Sequence, residues 1–136
     1  MRLSELGAAL GRSATLDVVT DAELDQIAHD GFDLVWFLGV WQTGEAGRRV
    51  SSSVPRLREE YHRVLTDFRE SDVCGSCFAV RDYHVHRDFG GDDALARLRE
   101  RLRKRGLRLI LDFVPNHVAL DHHWVQEHPE FFVTGT

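Results

Sequence analysis

Apolar positions along the chain follow two periods, one helical and one extended. Leu3, Leu6 and Leu10 predict a short helix that Gly11 closes. Thr20 and Glu23 have capping-box spacing ahead of Leu24, Ile27 and Ala28, and Gly31 is placed to stop this second helix. Phe32 to Val40, read Phe-Asp-Leu-Val-Trp-Phe-Leu-Gly-Val, is apolar on both faces and predicts a buried strand. The order of helix, Gly and strand then returns. Asp92 or Asp93 can cap a helix through Arg105, Gly106 stops it, and Leu107 to Val114 is the strand. Leu107, Leu109, Leu111 and Phe113 lie on one side of that strand, with Ile110, Asp112 and Val114 on the other.

Two buried parallel strands, each fed by an amphipathic helix, predict an α/β fold with right-handed crossovers. Between them residues 42–91 form a long insertion that leaves the C-terminal end of the first strand. It is expected to hold a Ser-rich turn at Ser51 to Ser53, a helix from Pro55 to Leu65, and an irregular stretch rich in Asp, Cys, His and Gly. Segments this long inside compact domains tend to carry function. Two doubly buried strands cannot satisfy their outer edges with three or four helices, so the chain is expected to be part of a larger domain.

Composition narrows the classes. A chain of 136 residues with 43% hydrophobic and 29% charged positions has the profile of an ordinary globular protein. A net charge of -5 argues against a nucleic-acid partner, which would require a clustered basic excess. Arg97, Arg99, Arg101, Arg103, Lys104 and Arg105 do form a basic run, but they surround the apolar stripe Leu95, Leu98 and Leu102 and read as a solvated helix face. No apolar segment approaches the roughly 20 residues of a spanning helix, and Met1 opens an amphipathic pattern rather than a signal peptide. A cytoplasmic chain without a membrane partner is therefore expected.

Candidate chemistry gathers at one strand end. Asp112, Asn116 and His117 follow the second strand, where parallel α/β folds place their ligands. Cys74 and Cys77 have C-x-x-C spacing, and with His84 and His86 they complete a formal Cys2His2 set; a small zinc-binding interaction module is thus the alternative reading. Against it, the interval from Cys77 to His84 is short for a finger and no predicted helix carries the histidines, so two ordinary loop thiols are preferred. Trp36 falls mid-strand and reads as core, Trp41 lies at a strand end, and His122, His123 and His128 read as a polar loop.

Leu-Asp-Phe-Val-Pro-Asn-His, residues 111–117, resembles the first signature region of the α-amylase family, glycoside hydrolase family 13, at the end of the third barrel strand. Asp82-Tyr83 followed by Asp88-Phe89-Gly90-Gly91-Asp92-Asp93 resembles the segment leading into that strand, and Phe32 to Gly44 resembles the second strand and its loop. The resemblance covers roughly residues 20–132 and implies a (β/α)8 TIM barrel, which needs about 250 residues. Residues 1–136 would then be the N-terminal portion of the catalytic barrel, a fragment holding the second and third strands with their helices.

The activity so implied is retaining hydrolysis or transfer of α-glucosidic bonds in an α-glucan or oligosaccharide substrate, with a nucleophile and an acid/base about 5 to 5.5 Å apart. Those two carboxylates and a further aspartate come from the fourth, fifth and seventh strands in the family, so no catalytic residue is expected here and the chain alone should be inactive. By the same resemblance His117 hydrogen-bonds the sugar and Asp112 braces the site. Asn116 offers its oxygen to a structural Ca2+ in calcium-dependent members. Phe78 lies near the place of a sugar-stacking Tyr, where Cys74-Gly-Ser-Cys-Phe departs from the usual Gly-Tyr pattern. Trp41 is a further candidate for substrate contact.

Overall fold

A computed structural model describes residues 3–133. In chain order its elements are α1 (Leu3–Leu10), α2 (Asp21–His29), β1 (Leu34–Phe37), β2 (Trp41–Thr43), α3 (Glu45–Ser53), α4 (Pro55–Val64), β3 (Val80–Val85), α5 (Gly91–Arg103), β4 (Arg108–Leu111) and α6 (Trp124–Glu127). Short 3-10 turns occupy Leu16–Val18, Glu70–Asp72, Arg87–Phe89 and Pro129–Phe131. β1 pairs with β4 in parallel, and β2 pairs with β3. Two compact units result, Met1–Val40 with His84–Asp112, and Trp41–Tyr83 with Phe113–Thr136.

The first unit is built around the parallel pair. Thr20 and Glu23 form the expected capping box, the Thr20 hydroxyl accepting from Glu23 N at 3.2 Å and the Glu23 carboxylate from Thr20 N at 2.7 Å. Gly11, Gly31 and Gly106 take positive φ at the helix stops. Leu24 of α2 and Ala94, Leu98 and Leu102 of α5 are buried, and Leu95 lines a cleft with Leu107, Leu109 and Leu111. α5 starts differently from expectation: Gly90, at φ 90°, is its N-cap. A Cβ on Gly90 would lie 2.7 Å from Ala94 Cβ and 2.9 Å from Thr15 Cβ, so no capping side chain fits there. Asp92 instead accepts from Val85 N at 2.8 Å and bonds His84 Nδ1 at 2.7 Å, and these two bonds, the backbone one first, lower its pKa.

Both strands are shorter than their apolar runs, and their burial differs from expectation. The register sets Leu34 beside Arg108, Val35 beside Leu109, Trp36 beside Ile110 and Phe37 beside Leu111. Val35, Phe37, Leu109 and Leu111 are half-buried, whereas Trp36 is 61% and Ile110 40% exposed. Phe32, Leu34 and Leu38, in step with Trp36, are exposed as well. The face on the side of α5 is covered and the other is not, so Trp36 is not core as the sequence suggested.

The basic run is likewise not a purely solvated face. Arg97, Arg101 and Arg105 recur every fourth residue, as do Asp17, Asp21 and Asp25, and the two series interlock. Arg97 Nη2 lies 2.6 Å from Asp17, Arg101 Nε 3.0 Å from Asp21, and Arg105 bridges Asp21 at 3.0 Å and Asp25 at 2.5 Å. Arg101 also donates to the Val19 carbonyl at 2.6 Å. Arg103 remains local, pairing with Glu100.

Residues 42–91 are more ordered than an irregular insertion. Ser51 to Ser53 form the last turn of α3, where the Ser53 hydroxyl donates to Val50 O at 3.0 Å. Val54, extended ahead of Pro55, separates α3 from α4, and Pro55 opens the next helix without needing an N–H. Arg58 pairs with Glu70, and Tyr61 stacks on Phe68 at 5.7 Å. The Asp-, Cys- and His-rich stretch contains β3, whose end residues Val80 and Val85 are buried while Arg81 to His84 are exposed.

Two outcomes test this packing. Thr20→Ala removes the hydroxyl of the capping box and should cost about 1 kcal/mol in urea unfolding. The Asp17 and Asp21 carboxyls titrate below their ordinary 3.8, first because Arg97 and Arg101 respectively hydrogen-bond them. Below that value the unfolded chain binds protons that the folded chain does not, so the ladder's contribution is full above it and is lost as pH falls through the lowered folded pKa values. Arg97→Gln should therefore make the thermal midpoint less sensitive to acid below about pH 4 than in the parent. An identical pH dependence would show that the ladder contributes nothing.

Candidate functional site

In the first unit the polar end of β4 is Asp112. Its Oδ1 accepts from Trp36 Nε1 at 3.0 Å and its Oδ2 accepts from Gly39 N at 2.5 Å. The carboxylate thus ties the end of β4 to the end of β1, using the indole N–H of the exposed face and the turn that follows it. Hydrogen bonds donated to a carboxylate are among the stronger ones, so Asp112 is held in one orientation.

The second unit carries Trp41, Phe78, Asn116 and His117. After β4 the chain runs through Phe113, 76% exposed, to Asn116 and His117, which are exposed too. Asn116 Nδ2 and His117 Nδ1 lie 3.4 Å apart. Trp41, half-buried, meets Tyr83 edge-on at 5.3 Å, and Tyr83 meets Phe113 at 6.0 Å. The Tyr83 hydroxyl accepts from Val114 N at 2.8 Å and donates to Val114 O at 3.2 Å. Phe78, 41% exposed, sits in a turn where its N–H donates to the Ser76 hydroxyl at 3.2 Å.

Beyond His117, Ala119 N donates to Val80 O at 2.8 Å, and Asp121 Oδ2 accepts from Ala46 N at 3.1 Å in the first turn of α3. Gly44, the N-cap of α3, has no side chain to cap with, and a Cβ there would overlap the Asp121 carboxylate. Asp121 therefore caps α3 from elsewhere in the sequence. Among the described residues its Oδ1 has no hydrogen-bond partner, although it is buried. Sequence reasoning gave neither Tyr83 nor Asp121 a role. The available signals were an aromatic residue among the polar neighbours Asp82 and His84, and a helix start at Gly44 that lacks its own cap.

The alternative Cys and His set is not assembled. Cys74 and Cys77 are free thiols of the second unit, His84 bonds Asp92 in the first, and the ring of His86 accepts from Asp88 N at 3.2 Å. Among the described residues no group of three or more His, Cys, Asp or Glu is placed to hold a metal ion. His122, His123 and His128 form an aromatic cluster rather than a polar loop: His122 and His123 stack at 4.5 Å, and His128 stacks on Phe131 at 4.8 Å. His122 is 6% exposed and its Nδ1 accepts from Trp124 N at 3.1 Å; burial, and then the neighbouring His123, lowers its pKa. Among the described residues no helix is long and apolar enough to cross a membrane.

Comparison with known proteins gives a consistent result. Residues 57–131 match the family model described as alpha amylase, catalytic domain. The α-1,4-glucan:maltose-1-phosphate maltosyltransferase of Salinibacter ruber is 30% identical over 129 residues, which is 88% of this chain and 17% of that protein. The trehalose synthase/amylase TreS of Mycolicibacterium smegmatis is 36% identical over 64 residues, 46% of this chain and 11% of that protein. Among solved structures, an α-amylase from Lactobacillus plantarum superimposes with a TM-score of 0.66 at 26% identity, covering 90% of this chain and 24% of the other. The chain thus spans less than a quarter of the length of each of these relatives. With an α/β fold that includes a parallel strand pair, and with the catalytic-domain model matched over more than half of its residues, this chain belongs to the α-amylase family.

Proposed function

We propose that this chain supplies the second and third strands, with their helices, of a (β/α)8 barrel that hydrolyses or transfers α-glucosyl units with retention. The observation that carries the proposal is the uncovered face of the β1–β4 pair. Trp36 and Ile110 project from it beside the strand-end carboxylate of Asp112, and among the described residues each strand has one pairing partner. A barrel interior is filled by layers of side chains from neighbouring strands, and its helices lie outside. The covered face of the pair, on the side of α5, suits the helix layer; the uncovered face suits the interior.

In that setting the residues after β4 belong at the C-terminal mouth, where barrel enzymes bind substrate. His117 is assigned to hydrogen-bond the sugar beside the scissile bond, Asp112 to brace the strand end, and Trp41 and Phe78 to offer aromatic surface to pyranose rings. Bond cleavage requires a nucleophilic carboxylate and an acid/base about 5 to 5.5 Å apart, which the resemblance assigns to later strands than the two present here. Asn116 would offer its side-chain oxygen to a structural Ca2+, as in calcium-dependent members of the family; no carboxylate cluster accompanies it among the described residues, so the other ligands would come from the rest of the barrel. The relatives named above are described as a trehalose synthase/amylase and an α-1,4-glucan:maltose-1-phosphate maltosyltransferase, which supports an α-glucosyl substrate.

The isolated 136-residue chain should release no sugar from maltooligosaccharides, and measurable release would overturn the division of labour proposed. Maltotriose at millimolar concentration should shift the NMR signals of the His117 ring and the Trp41 indole, with dissociation in the millimolar range, a few kcal/mol of binding. His117→Asn should weaken that binding severalfold. Signals that stay fixed at saturating sugar would remove His117 and Trp41 from the site.

A further inference from the structure

We propose that Tyr83 is a positioning residue for His117, acting as a clamp on the backbone of Val114. The inference rests on reading His117 as the sugar-binding histidine, although the clamp itself is a matter of geometry. One hydroxyl serves both polar groups of a single residue: it accepts from Val114 N at 2.8 Å and donates to Val114 O at 3.2 Å. A phenolic oxygen can do both at once, since it has one O–H and free lone pairs. The ring is oriented from two sides, by Trp41 at 5.3 Å and 67° and by Phe113 at 6.0 Å and 42°.

Local sequence makes that clamp effective. Val114 precedes Pro115, which restricts Val114 to extended backbone and fixes its own φ, so little freedom separates the held residue from Asn116 and His117. On the far side Ala119 N donates to the carbonyl of Val80 at 2.8 Å. Val80 is 1% exposed and, like Tyr83, belongs to β3. β3 therefore grips the segment at Val114 and at Ala119, with only residues 115–118 between the two grips. Holding a binding group within a fraction of an ångström of its productive place is worth large factors in rate, and it depends on supports of this kind.

Amide exchange and His117 NMR signals, recorded without any sugar, test the clamp. In the parent chain the Val114 amide should exchange well below its unstructured rate. Tyr83→Phe, which keeps the ring and removes the hydroxyl, should speed that exchange roughly fivefold or more, in line with the loss of one hydrogen bond. It should also shift the His117 ring signals and lower the order parameter of the His117 amide. Tyr61→Phe, a control on α4, should change neither. A folded Tyr83→Phe chain with Val114 exchange and His117 signals unchanged would overturn the proposal. So would a Val114 amide that exchanges freely in the parent, a measurement that decides the matter even if the variant does not fold. Loss of the maltotriose response at His117 with the clamp intact would instead sink only the functional reading.

Discussion

Two four-residue parallel strands have one shared row of backbone hydrogen bonds and two outer rows that need partners from elsewhere, and this constraint shapes the first unit. β1 and β4 pair in register from Leu34 and Arg108 to Phe37 and Leu111. α5 lies along one side, where Leu98, Leu102 and Leu107 are buried, and the other side presents Trp36 and Ile110 to solvent. Fully burying a side chain of that size is worth about 1.5 to 3 kcal/mol. The uncovered face therefore leaves apolar area in water that a covering layer would remove. Asp112 turns the same face to use: it draws the indole N–H of Trp36 and the turn at Gly39 onto the end of β4.

The second unit places its chemistry by other means. Its segment after β4 has no strand partner among the described residues and is held instead by point contacts: the Tyr83 hydroxyl on Val114, the Val80 carbonyl on Ala119, and the Asp121 carboxylate on the N-terminus of α3. Each contact satisfies backbone groups that an irregular segment would otherwise leave to water. Gly44 is part of the same device, because its missing side chain leaves room for Asp121. An exposed loop can be kept in place this way without being buried.

Local signals in the sequence were sufficient for the helices and insufficient for the contacts between them. The capping box at Thr20 and Glu23, the glycine stops and the helix opened by Pro55 depend on residues a few positions apart, and all are found. β3 was missed because four exposed residues separate Val80 from Val85, leaving no alternation to read. The Asp17, Asp21 and Asp25 ladder spans about 80 positions to its arginines, so the basic run read as solvated although both series share a four-residue repeat. Burial of Trp36 was overestimated for a related reason: an apolar run signals a strand with two apolar faces, and not which of them another element packs against. Asp112, Asn116 and His117 were visible as a motif, whereas the hydroxyl of Tyr83 on Val114 was visible only once the hydrogen bonds were known.

If this chain supplies the second and third strands of an α-glucosyl-active barrel, as proposed, it should work in that place in another member of the family. Grafting residues 20–132 in place of the matching segment of the Lactobacillus plantarum α-amylase, whose structure superimposes with a TM-score of 0.66, tests it most directly. The chimera should fold, hydrolyse α-glucan and lose kcat/KM when His117→Asn is introduced. A chimera that folds with the stability of the parent amylase yet has no activity would contradict it.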